Sequence, residues 1–106
     1  AERRGRPAPV SHVAGVPGVR TLADLLRMRA QRSGSRPAMY ERAATGGWQA
    51  ISYEQFLQRA ASVARALLEL GLQRGDRVAV LGPTQASWPI YDFGAQLAGM
   101  VSWGIY

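Results

Sequence analysis

From Ser52 onward the chain reads helix, strand, helix, strand, and that order constrains the fold more than any other feature. Arg77-Val78-Ala79-Val80-Leu81 is a short apolar run that leads into Gly82-Pro83-Thr84. An apolar helical segment follows, then Val101-Ser102-Trp103-Gly104-Ile105-Tyr106. Strand, crossover helix, strand is the βαβ unit from which parallel sheets are built. Parallel strands are normally covered on both faces, so Val78 to Leu81 is expected to be buried on both. No internal repeat is visible, and the unit reads as the front of a larger α/β protein.

The helix before this unit is the clearest element. Ser52-Tyr53-Glu54-Gln55 is a capping box, with a hydroxyl at the cap and an amide three residues on. Tyr53, Phe56, Leu57, Ala60, Val63, Ala64, Leu67 and Leu68 then line one face, and Glu54, Gln55, Gln58, Arg59, Ser62, Arg65 and Glu69 the other. Gly71-Leu72 supplies the glycine and following apolar residue of a Schellman end. Upstream, Thr21-Leu22-Ala23-Asp24 opens a shorter helix whose stripe is Leu22, Leu25, Leu26 and Ala30, with Gly34 as its stop. Pro37 turns Arg36 away from helical geometry. Ala38 to Glu41 and Trp48 to Ile51 then read as two strands joined by a Thr45-Gly46-Gly47 turn. Beyond the parallel strand, Trp88 to Met100 is apolar nearly all round and is expected to lie inside, with Thr84 or Ser87 as its cap.

Composition limits the chemistry. The 106 residues suffice for one modest core, and 47% hydrophobic content is ordinary for a globular chain. No run approaches a membrane span. With no cysteine there is no disulfide framework or zinc-thiolate site, and a reducing compartment is favoured. Every basic residue is arginine, so no Schiff base and no phosphate-loop lysine is available. His12 is the sole histidine and lies in the leader, which removes histidine triads and metal clusters. The net charge of +6 is half in the leader, and the remainder is scattered rather than gathered into a nucleic-acid footprint.

Residues 1–20 are rich in Pro, Gly, Ala and Arg and read as a disordered basic leader, with residues 21–106 as the folded part. The leader is Arg-rich and acid-poor like a transit peptide, but its prolines and glycines spoil an amphipathic helix. Arg3-Arg4-Gly5-Arg6-Pro7 contains the Arg-Gly-Arg-Pro core of a minor-groove hook, set against a short basic tail as the plainer explanation. Gly82-Pro83-Thr84-Gln85-Ala86-Ser87 has one glycine and no lysine, so it reads as a turn and not a nucleotide loop. Arg74-Gly75-Asp76 is read as a helix-to-strand turn rather than an adhesion tripeptide. Asp92, on an apolar helix, needs a solvated edge or a donor such as a nearby hydroxyl or amide. Trp48, Trp88, Trp103, Tyr53, Tyr91 and Tyr106 are assigned to core packing in preference to base stacking.

The ordered part resembles the amino-terminal segment of the adenylate-forming (AMP-binding) ligases, and within them the long-chain fatty acid–CoA ligases. The resemblance rests on Thr21 to Leu26 with Arg36-Pro37-Ala38-Met39, on Gly47 to Phe56, and on Leu70 to Leu81. It continues through Trp88, Asp92 and Ala95 to Tyr106, where Gly104-Ile105-Tyr106 matches the long-chain branch. Thr84, Ser87 and Trp103 depart from the family pattern, in which Asn, Glu and Val are usual.

The resemblance implies an α/β fold: a truncated amino-terminal part of the acyl-CoA synthetase-like large domain, with a βαβ unit, a covering amphipathic helix and an early two-strand hairpin. It implies that the parent enzyme joins a fatty acid to CoA through an acyl-adenylate, using ATP, Mg²⁺ and CoA. No residue of this span matches a catalytic, cofactor or metal motif of the family, so none is assigned, and the isolated chain is expected to be inactive, poorly stable and free of bound cofactor. Its partners would be the fatty acid and the rest of its own chain, without nucleic acid, and the resemblance leaves room for a homodimer and for peripheral membrane contact. Localisation would be cytoplasmic or peripheral at the inner membrane. Two other assignments stay open: another adenylate-forming enzyme (a fatty acyl-AMP ligase or an amino-acid-activating domain), and a non-enzymatic module contacting DNA through the basic tail.

Overall fold

The computed structural model describes residues 17–105, so the Arg3–Pro7 motif, His12 and Tyr106 lie outside the described residues. In chain order it contains α1 (Leu22–Ser33), β1 (Pro37–Arg42), β2 (Trp48–Ser52), α2 (Tyr53–Glu69), β3 (Arg77–Leu81), α3 (Ser87–Leu97) and β4 (Val101–Ile105). β1 and β2 form an antiparallel hairpin, and β3 and β4 a separate parallel pair. The crossover from β3 through α3 to β4 is the expected βαβ unit. Its register sets Arg77 beside Val101, Ala79 beside Trp103 and Leu81 beside Ile105.

The local signals that start and stop the helices act largely as their chemistry requires. Thr21 Oγ1 accepts from the Asp24 N–H at 3.0 Å. Ser52 Oγ accepts from the Gln55 N–H at 3.1 Å, and Gln55 Oε1 accepts from the Ser52 N–H at 3.0 Å, which closes the capping box. At the far end of α2, the Leu72 N–H reaches the Leu67 carbonyl and the Gly71 N–H the Leu68 carbonyl, with Gly71 at φ +97°. That pairing is the Schellman pattern, and only glycine enters it without strain. Gly34 ends α1 for another reason. Its φ is −55°, and a Cβ there would lie 2.6 Å from the Ala30 carbonyl oxygen.

The helices meet over a core of Leu26, Ile51, Phe56 and Ile90, contributed by α1, β2, α2 and α3. Phe56 and Phe93 meet edge to face with centroids 5.2 Å apart. Close approach of α2 and α3 depends on Gly94, where a Cβ would stand 2.5 Å from Val63 Cγ1. Val19 is also buried, and the Arg20 N–H donates to Asp24 Oδ2 at 3.0 Å. Packing thus reaches two residues upstream of Thr21, into the stretch the sequence assigns to the leader.

Several expectations are corrected. β3 is not buried on both faces: Val80 is buried, but Leu81 is 73% exposed, because α3 covers one face only. On the opposite face Ala79, Val101, Trp103 and Ile105 also stand open. α3 ends at Leu97 and not Met100, since Gly99 at φ +81° forms a second Schellman end, with the Met100 N–H on the Ala95 carbonyl at 2.9 Å. Nor is α3 buried all round, as Tyr91 is half exposed. Neither Thr84 nor Ser87 caps it. Ala86 holds the cap position without a side-chain bond, and Ser87 Oγ instead accepts from Gln85 Nε2 at 3.0 Å. Pro89 in the first turn needs no intrahelical donor. Trp48, Trp103 and Tyr91 lie on the surface rather than in the core, and Leu68 is half exposed on the face of α2 expected to be covered.

Candidate functional site

An open groove of about 800 Å³ lies between the hairpin and the β3-to-α3 turn. Met39 to Arg42 and Trp48 line one wall, and Thr84 to Ser87 with Pro89 the other. It lies beyond the carboxyl end of β3, the position where open α/β sheets place ligands. Strand alternation brings Tyr40 and Arg42 to one face of β1, and the register sets Arg42 opposite Trp48. The Arg42 guanidinium lies 5.1 Å from the Trp48 ring centroid, a cation–π contact that holds both side chains at the groove edge. Glu41 supplies the groove's one carboxylate and pairs with Arg59 of α2 at 3.6 Å.

The groove therefore offers hydroxyls, one amide, aromatic edges and an ion-paired acid. These groups orient and hydrogen-bond, but none is a nucleophile activated by a neighbouring base. Among the described residues no three His, Asp or Glu side chains come together in a metal-binding arrangement. The turn Gly82 to Ala86 has one glycine and no lysine. It does not fit a triphosphate in the manner of a glycine-rich phosphate loop.

The other singled-out residues have structural partners. Asp92 Oδ1 accepts from Ser102 Oγ, which ties α3 to β4, and at 3.2 Å from Gln96 Nε2 one turn along α3; these are the hydroxyl and amide expected as its donors. Arg74-Gly75-Asp76 is a turn: Gly75 has φ +90°, its N–H donates to the Gly99 carbonyl at 2.9 Å, and Asp76 Oδ2 accepts from the Gln73 N–H at 2.6 Å. Trp88 is half-buried, with its indole against Gly104, where a Cβ would come within 2.5 Å of Trp88 Cζ2. The Asp24 carboxyl is held below the ordinary aspartate range, foremost by the Arg20 N–H; desolvation opposes this, and Thr21 and Arg27 add smaller lowering effects. It serves the cap of α1, not a reaction.

The sequence reading missed the groove, because its walls come from elements over thirty residues apart. It also placed Trp48 inside. The available signal was the alternation that sets Tyr40 and Arg42 on one face, and Trp48 opposite Arg42, once the Gly46-Gly47 turn fixes the register.

Fold and groove together define a class: an α/β unit in which a βαβ crossover and a hairpin frame an open groove. The family model for AMP-binding enzymes matches residues 26–106, and the chain belongs to that family. Over 88 residues it is 34% identical to the long-chain-fatty-acid–CoA ligase ACSBG2 of Rattus norvegicus, covering 81% of this chain and 13% of that protein. Over 68 residues it is 32% identical to the long-chain-fatty-acid–CoA ligase FadD15 of Mycobacterium bovis, covering 64% of this chain and 11% of the relative. Among solved structures, the fatty acid AMP ligase of Legionella pneumophila superposes with a TM-score of 0.73 at 28% identity, covering 81% of this chain and 15% of that one. The fatty acyl CoA synthetase of Mycobacterium tuberculosis gives a TM-score of 0.69 at 32% identity over 80% of this chain and 16% of that one. The chain thus spans about an eighth of the length of the first curated relative.

Proposed function

We propose that this chain is the scaffold-forming amino-terminal part of a long-chain fatty acid–CoA ligase. In that enzyme a fatty acid and ATP give an acyl-adenylate and pyrophosphate, and CoA then displaces AMP to form the thioester. The observation that carries the proposal is the match over residues 26–106 to AMP-binding enzymes, which takes in both strand pairs and α2. Long-chain ligases at 34% and 32% identity support the substrate class. The Gly104-Ile105 step of β4, with Trp88 against its glycine, fits the long-chain branch of the resemblance.

In this reading the chain's own residues do structural work. α3 covers one face of the parallel pair and packs in turn on α2, Asp92 fixes α3 to β4, and the hairpin holds Trp48 and Arg42 beside the β3 turn. ATP, Mg²⁺ and CoA would be held by residues outside this chain. A second assignment, a fatty acyl-AMP ligase, draws on the Legionella superposition at a TM-score of 0.73. Assaying the full-length parent with a long-chain fatty acid, ATP and CoA separates the two. Thioester formation is the expected result, accumulation of acyl-AMP with CoA unconsumed supports the second assignment, and neither product overturns both.

A further inference from the structure

Sharing only Tyr40 with the groove, a smaller recess of about 390 Å³ opens where the end of α1 meets β1 and the start of α2. Its lining is Arg29, Ser33, Arg36, Pro37, Tyr40 and Tyr53. Apart from the proline, every side chain there ends in a hydrogen-bond donor, and no carboxylate lines it among the described residues. Arg29 is held through its side chain and Arg36 through its backbone. Arg29 donates to Ser33 Oγ at 3.2 Å and lies 5.8 Å from the Tyr53 ring centroid, leaving the rest of its donors unused. The Arg36 backbone is clamped from both sides, its N–H on the Ser33 carbonyl and its carbonyl accepting from the Tyr53 N–H, each at 3.0 Å. Neither arginine forms an ion pair among the described residues, whereas Arg27 and Arg59 do.

Two influences oppose an anion here. The carbonyl end of α1 carries partial negative charge, and Glu54 lies close to Gly34. Two full positive charges, one on a held guanidinium and one carried by a clamped backbone, outweigh half a charge from the helix end and one carboxylate outside the lining.

We infer that the recess formed by Arg29, Ser33, Arg36, Tyr40 and Tyr53 binds a phosphate group, whether free or carried on a lipid headgroup. This inference is independent of the adenylation reading: Tyr40 is shared with the groove wall, but Arg29, Ser33, Arg36 and Tyr53 lie outside the groove and the βαβ unit takes no part.

The test is a titration of the 106-residue chain followed by amide chemical shifts. One arm uses inorganic phosphate at constant ionic strength, and the other uses phosphatidylglycerol vesicles against phosphatidylcholine vesicles. R29Q and R36Q are compared with R65Q, which removes a charge from the solvent face of α2. Circular dichroism checks that each variant keeps its fold, and two separate recess variants guard against one failing to fold.

The expected result is saturable binding in at least one arm, with shifts at Ser33, Arg36, Tyr40 and Tyr53. R29Q and R36Q should each weaken it about fivefold or more, with R65Q close to unchanged. Saturation by phosphate assigns a free anion, and saturation only by the anionic vesicles assigns a headgroup. No saturable shift in either arm, or equal weakening by R65Q, would overturn the inference.

Discussion

Asp92 shows how a single side chain can look functional in sequence and be structural in space. A carboxylate on an apolar helix raises the question of its partner, and Ser102 and Gln96 answer it. Asp92→Ala strips the Ser102 hydroxyl of its acceptor, and a loss of about 1 kcal/mol is expected in urea unfolding, without loss of the fold. Gly94 makes a stricter demand. Alanine there gains about 1 kcal/mol of helix propensity but meets Val63 and the Ala60 carbonyl, and overpacking costs about 1–3 kcal/mol, so net destabilisation is expected. A more stable Gly94→Ala protein would show that α2 and α3 do not pack this closely. Asp24 adds a pH dependence. Its folded pKa is depressed, so its contribution is present above the unfolded value and is lost as pH falls through the folded one. Asp24→Asn should therefore flatten the acid limb of the stability–pH profile and leave the neutral-to-alkaline part in shape.

At the scale of elements, what was legible in sequence depended on how local the signal is. The capping box of α2 and its Schellman end involve groups within a few residues, and both formed as the pattern requires. Ser52→Ala should cost about 1 kcal/mol in thermal or urea unfolding, the usual worth of a cap, and an unchanged midpoint would contradict the assignment. α3 was harder, because an apolar helix without polar punctuation states neither where it stops nor which face is covered. Gly99 was the stop, readable from glycine followed by an apolar residue, as at Gly71-Leu72. Its missing hydroxyl cap at Ala86 could not be read from Thr84 and Ser87, since both residue types are equally good turn formers.

For the whole molecule, one open sheet face accounts for several of the exposed apolar residues. Leu81, Val101, Trp103 and Ile105 share the face of the parallel pair away from α3, and each stands on the surface. Apolar strand composition reports the burial a strand is suited to, and α3 within this chain supplies half of it. The candidate groove was illegible for a related reason: its walls meet only after the hairpin docks on α2 and α3. Fold class, element order and family were legible because they rest on the order of local motifs, and the match over residues 26–106 agrees with them. In the function proposed above, this chain frames part of the large domain of an AMP-binding enzyme and the adenylation groups lie elsewhere. ATP–pyrophosphate exchange by the purified 106-residue chain with a long-chain fatty acid and Mg²⁺ tests it most directly. Exchange no faster than a protein-free blank is the predicted result, and fatty-acid-dependent exchange above it would contradict the account.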